Sequence, residues 1–293
     1  MKKIFKYGPF VILFLIPLLI YQGVNTSSWV SSSDVHALLE FASSLVAITA
    51  GIMVLLHFIT TGRLFFLIIS IGFMLAGSEE IIHAIFSFTR IWTVSLPNPK
   101  LYISATWLTG SFLLVISFFI AIILRKKEII KEKRSLYAVG CNVAAFIFSV
   151  FITWIIIHSS FLPSFVQVGQ IYKQLIELFL SILFFVAFIF YLNLYFKQPS
   201  HSPLLWSIIA CIIFMALTHF FIINAQTLYD VHWDIAHVAK LLGYFFPIFG
   251  VWGETILLHR YSQAQFKALE VESNERKQAE EALRDSEQKY RVL

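Results

Sequence analysis

The sequence predicts an all-α fold: a polytopic transmembrane helix bundle of about eight spans, followed by a charged, cytoplasmic C-terminal helix. Three observations carry that expectation. Of the 293 residues, 58% are hydrophobic and only 13% are charged, against roughly a quarter charged in soluble domains. Apolar runs of about 20 residues recur, the length needed to cross a hydrocarbon core of about 30 Å. The runs are continuous, without the alternation of a membrane barrel, so helices are what satisfies their backbone within lipid.

The runs fall at about 5–22, 36–57, 64–85, 104–124, 137–157, 171–196, 204–223 and 236–258. Lys2, Lys3 and Lys6 precede the first, in the manner of a signal peptide. No small-residue cleavage site stands before Gln22, so an uncleaved span is expected. Short cytoplasmic loops collect Lys and Arg. Lys2, Lys3, Lys6, Arg63, the segment RKKEIIKEKR at 125–134, Lys197 and Arg260 all fall on one side, with little beyond Arg90 and Lys100 opposite. Both termini are therefore expected in the cytoplasm, and the chain in a bacterial inner membrane with lipid around it.

The net charge of +5 belongs to the membrane body, because the seven basic and seven acidic residues after His259 cancel. It reports topology and gives no reason to expect a nucleic-acid partner. Cys141 and Cys211 lack metal-ligand spacing and read as buried thiols.

An ionisable side chain inside a span is costly unless paired or hydrated, so its position is informative. His36 and Glu40 are four apart at the start of the second span; Glu80 and His83 are three apart on the third; Asp234 and His237 are three apart at the start of the eighth. Either spacing puts both side chains on one helical face. Counting about 1.5 Å per residue places all three pairs in one outer layer. His158, Lys173, Glu177 and His219 fall in the same half. The layer resembles the Glu-x-x-His plan by which bundles hold metals. Pairs that merely satisfy each other, or a polar cavity sensing a proton or ligand, fit the same spacing.

The candidate ligands or proton acceptors are therefore His36, Glu40, Glu80, His83, Asp234 and His237. Of these, His36, Glu40, Glu80, His83 and His237 are the candidate metal ligands; Lys173, Glu177 and Lys240 are charge partners. No catalytic residue is assigned. The cofactor is unknown, with a metal ion or metal-containing cofactor the expectation to test. Glu79 lies about 100° from Glu80 around the helix and faces a different neighbour. Asp230 and His232 read as loop residues. His57, His201, Glu254 and His259 read as snorkelling at the inner surface. The 31 Phe and 7 Trp read as packing and interfacial anchoring.

Residues 1–258 thus form a membrane body and 259–293 a helical linker. The linker has no Pro or Gly. Pairs four apart, Glu272 with Arg276, Glu280 with Arg284, Asp285 with Lys289 and Glu287 with Arg291, support a solvated helix at a few tenths of a kcal/mol each. Ala279, Leu283, Ser286, Tyr290 and Leu293 follow a four-three spacing that suggests a homodimeric coiled-coil seam.

The segment AEEALRDSEQKYRVL resembles the linker that enters PAS domains of bacterial sensor histidine kinases and diguanylate cyclases. Glu281, Leu283, Ser286, Glu287, Tyr290 and Arg291 match its E-x-L-x-x-S-E-x-x-Y-R run in order. Over roughly 30–258 the body resembles the third class of membrane-associated sensor (MASE-type) domains. His36-x-x-x-Glu40, Glu80-x-x-His83 (Glu replacing Asp), Lys173-x-x-x-Glu177 and His237-x-x-Lys240 followed by Gly243 and Tyr244 carry the likeness. An Arg expected beside Trp107 is absent, with Thr106 and Leu108 there instead.

The resemblance implies an input module that detects a ligand, metal, redox or proton signal and passes it through the last span to a cytoplasmic PAS-linked output beyond this chain. That chain would not itself be an enzyme. A membrane metallohydrolase with a His/acid zinc site is the rival expectation. A transporter ranks behind it, because the spans lack paired broken helices.

Overall fold

The computed structural model describes residues 15, 19–20, 23, 27–87, 99–158, 171–197, 202–225 and 230–292. Its helices are α1 (Ser33–Thr61), α2 (Leu64–Ser87), α3 (Pro99–Leu124), α4 (Arg134–His158), α5 (Ile171–Lys197), α6 (Pro203–Ile223) and α7 (Val231–Val292), with a 3-10 turn at Lys131–Lys133. Each of these seven helices is long and apolar enough to cross a membrane. The expected first span at 5–22 lies almost wholly outside the described residues, as do Arg90 and His201.

Local chemistry sets the helix ends. Ser32 caps α1 by accepting from Val35 N, and Ser202 caps α6 by accepting from Leu205 N, with Pro203 in the first turn where its missing N–H does no harm. Asp230, read from sequence as a loop residue, accepts from Trp233 N at 3.1 Å at the start of α7. Gly62 ends α1 in the left-handed region at φ 76°, its N–H donating to Phe58 O at 2.7 Å. A Cβ there would lie 2.5 Å from the Arg134 guanidinium. That group donates to Thr60 O at 2.7 Å and Ile129 O at 3.1 Å, tying the α1–α2 and α3–α4 connections together. Gly62→Ala is therefore expected to lower stability by about 1–2 kcal/mol, read by thermal unfolding in detergent; an unchanged melting point would refute the account of this corner.

Within residues 1–251, a compact unit of its own, α1 packs on α2, α2 on α3 and α5 on α6. In their apolar windows α6 is 83% and α2 72% buried, against 28% for α4 and α5, so α2 and α6 are central. Helices in lipid gain little from burying apolar surface against one another and depend on close packing. Gly72 serves that need, since a Cβ there would meet Ser117 Oγ at 1.8 Å. Phe58, Phe73, Phe118, Phe184 and Tyr191 fill the centre, with Tyr191 donating to Phe118 O at 3.0 Å. The opposite face of α4 exposes Val143, Phe146, Ile147, Val150 and Trp154.

His57 departs from expectation. It is 7% exposed and meets Phe66 edge to face at 4.4 Å, so it packs against an aromatic neighbour instead of snorkelling.

Residues 252–293 form a second unit, helical to Val292 and solvent-exposed along most of its length. Arg276 Nε donates to Glu280 Oε1 at 2.9 Å, not to Glu272 as the acid-to-base spacing suggested. Both glutamates stand one turn away, and pairs worth tenths of a kcal/mol exchange readily. Ala279, Leu283 and Ser286 are exposed. The side chains of Asp285, Glu287, Lys289 and Tyr290, and the whole of Leu293, lie outside the described residues.

Candidate functional site

Three helices deliver the polar centre. His36 and Glu40 stand one turn apart on α1, and Glu80 and His83 one turn apart on α2. Trp233, His237, Lys240 and Tyr244 form a four-three-four stripe on one face of α7. All eight side chains are buried, with Glu40, His36, His237, Lys240 and Tyr244 at zero exposure.

Glu40 is the hub. His237 Nε2 contacts its Oε1, Lys240 Nζ lies 2.5 Å from its Oε2, and His83 Nε2 lies 3.4 Å from Oε1. His36 Nε2 lies 3.4 Å from His83 Nε2, and His36 Nδ1 accepts from Trp233 Nε1 at 3.0 Å. His237 Nδ1 lies 2.6 Å from Trp233 O. A carbonyl only accepts, so that ring nitrogen carries a proton and Nε2 is the nitrogen turned towards Glu40. Neither Glu40 Oε1 nor His237 Nε2 has a hydrogen-bond partner among the described residues.

One ligand atom from each of His36, Glu40, His83 and His237 lies within 4.8 Å of the other three. The 3.4 Å separations are close to the edge, about 3.3–3.4 Å, of a tetrahedron with ligands at about 2.0–2.1 Å. Imidazole and carboxylate together suit zinc, copper, cobalt or nickel, whereas calcium and magnesium prefer all-oxygen sets. Glu40, His83 and His237 fit a transition-metal ion; His36 would join them only on giving up the bond from Trp233 Nε1, since a ring nitrogen that accepts leaves the other to carry the proton.

A second ring of polar groups surrounds the first. Lys240 Nζ is 3.5 Å from Glu80 Oε1 and 4.1 Å from the centroid of the Trp107 ring. Tyr244 donates to Glu80 Oε1 at 2.6 Å. Trp107 Nε1 donates to Glu177 Oε1 at 3.1 Å, while Glu177 Oε2 lies 2.5 Å from His219 Nδ1. Lys173 Nζ sits 4.2 Å over the Trp233 ring.

The structure therefore brings His36, Glu40, His83 and His237 to one point and places Glu80 one step out, with Lys240 and Tyr244. Asp234 does not join them. Its carboxylate accepts from Trp29 Nε1 at 2.9 Å and Ser31 Oγ at 2.8 Å. The segment before α1 runs antiparallel to the start of α7 through the Val30–Asp230 bridge and captures it. His158 is exposed on α4, with Nδ1 2.9 Å from Trp154 O. Glu79 turns to α4, accepting from Ser149 Oγ at 2.7 Å and Thr153 Oγ1 at 3.1 Å.

The reading of every tryptophan as packing or anchor fails at Trp107 and Trp233, each 3% exposed and each hydrogen-bonded within the site. The signal for Trp233 was its place on the His237–Lys240–Tyr244 stripe. Trp107 was marked only as the Trp beside which the resemblance led one to expect an Arg.

Apolar spanning helices enclosing a sealed polar centre define a multi-pass membrane protein built around a buried site. The chain belongs to the MASE3 membrane-associated sensor domain family, whose sequence pattern matches residues 27–256. The match takes in every residue of the centre. A sensor domain is not itself catalytic, which favours a sensory input role over a membrane metallohydrolase. No curated protein and no solved structure matches the chain.

Proposed function

We propose that this chain is the input module of a bacterial signalling protein and that its stimulus is a divalent transition-metal ion taken up by Glu40 and the histidines around it. The observation that carries the reading is the meeting of four buried ligand atoms, from three helices, within 4.8 Å. Charge supports it, because the carboxylates of Glu40 and Glu80 face the single ammonium of Lys240 and buried charges need compensation.

In this reading the site lies towards the outer leaflet of the inner membrane and both termini are cytoplasmic. Arg63, Arg125, Lys126, Lys127, Lys131, Lys133, Arg134 and Lys197 support it, since they stand at the ends of α1–α5 away from the site. Occupancy acts on α7, which contributes His237 and Lys240 and whose helix runs to Val292. The segment 259–293 then sets a PAS-linked kinase or cyclase, with pairing of two such segments as the dimer contact.

Elemental analysis and Co2+ titration of the detergent-purified protein, followed by ligand-field absorption, test this. One ion per chain is expected, lost in His237→Ala and in Glu40→Gln. A wild-type protein that takes up no ion, or variants that retain it, would sink the proposal.

A further inference from the structure

Lys240 is a fully buried cation among groups suited to hold another cation. Its ammonium is shared unequally, 2.5 Å from Glu40 Oε2 and 3.5 Å from Glu80 Oε1. On Glu80, Oε1 already accepts from Tyr244, whereas Oε2 is buried with no hydrogen-bond partner among the described residues. A buried carboxylate oxygen without a donor is unfavourable. The second carboxylate thus holds an open acceptor beside an ammonium that is engaged elsewhere.

We propose that Lys240 is a two-position switch. In the arrangement seen it rests on Glu40; a divalent cation held by Glu40, His83 and His237 sends it to Glu80. The proposal rests on the reading of that centre as a cation site. Three features favour it. An ammonium and a divalent ion on one carboxylate repel each other, and the surrounding low dielectric enlarges that repulsion. Lysine's four-carbon stem lets the ammonium travel without movement of its helix. The Trp107 face, 4.1 Å from Nζ, keeps a cation stabilised along the way.

The consequence falls on α7. Tyr244 shares Glu80 and lies one turn beyond Lys240 on the same helix, so the transfer alters contacts at two successive turns. Pro247 follows within the helix; it lacks the N–H that would bond the Gly243 carbonyl, so the next turn is the easiest place for the helix to bend.

A double-mutant cycle on Co2+ affinity, with Zn2+ competition, tests the switch. Lys240→Met removes the competing cation and is expected to tighten binding about tenfold, while Glu80→Gln removes the receiving site and weakens it about tenfold. In the Lys240→Met background Glu80→Gln is expected to change nothing, because nothing remains to be received. Equal weakening in both backgrounds would mean that Glu80 acts on the ion directly, and the switch would be wrong.

Tyr244→Phe guards against a Lys240 variant that does not fold. It frees Glu80 Oε1 for the ammonium and is expected to tighten binding about threefold; unchanged or weaker binding would overturn the proposal. Failure of the parent reading looks different, since the wild-type protein would then bind neither Co2+ nor Zn2+.

Discussion

Glu40→Leu is expected to destabilise the bundle by about 3–5 kcal/mol, the cost of removing one partner of a buried ion pair, and to abolish cation uptake. The carboxylate is wholly buried and holds Lys240 through one oxygen and His237 through the other. Without it the one carboxylate left to Lys240 among the described residues is Glu80, at 3.5 Å. The magnitude separates two accounts of the centre. Neutral hydrogen bonds between transmembrane helices average about 0.6 kcal/mol, so a network of neutral contacts would give a loss near 1 kcal/mol.

Combining Glu40→Leu with Lys240→Met is expected to recover part of the stability, because that pair is removed whole while Glu80 loses its ammonium. Glu80 keeps the Tyr244 hydroxyl at 2.6 Å in that variant. Cation uptake stays lost. Denaturant unfolding in detergent measures all three proteins. A single substitution costing under about 1 kcal/mol would show that Glu40 and Lys240 are not a buried ion pair.

Trp107→Ala is expected to cost about 3–5 kcal/mol, in the range of large-to-small changes at buried aromatics. The indole is 3% exposed and stands between the two polar rings. One face lies 4.1 Å from Lys240 Nζ, its centroid is 5.0 Å from that of His237, and its N–H donates to Glu177 at 3.1 Å. Trp107→Phe separates these contributions. It keeps an aromatic face for Lys240 and most of the volume, losing the donor to Glu177, so about 1 kcal/mol is expected. Equal losses for the two variants would show that the hydrogen bond, not the packing, dominates at this position.

The spans were legible because lipid leaves the backbone no alternative to the helix. The expected runs 64–85 and 204–223 became α2 (Leu64–Ser87) and α6 (Pro203–Ile223). The site was legible in part. Spacing placed His36 with Glu40 and Glu80 with His83 on shared faces, yet these neighbours do not chiefly serve each other. Side chains one turn apart project side by side towards a common partner, so Glu40 meets His83 of α2 and His237 and Lys240 of α7. Asp234 misled for the same reason: its spacing to His237 was right, and the segment at Trp29 and Ser31 took it away. The roles of Trp107 and Trp233 as buried donors were missed because a tryptophan in a membrane sequence serves equally as interfacial anchor or buried donor.

Composition and periodicity were enough to establish a membrane bundle with a polar layer at one depth, since hydrophobic length and helical rise are properties of each segment alone. Which residues of that layer share a point could not follow from them. Glu40 and Lys240 are 200 positions apart, and the rotation of one helix against another is set by packing, with little driving force from burial in lipid to reveal it in the sequence. Tertiary packing thus made Glu40 the hub, moved Glu80 and Lys240 into the supporting ring and left Asp234 outside.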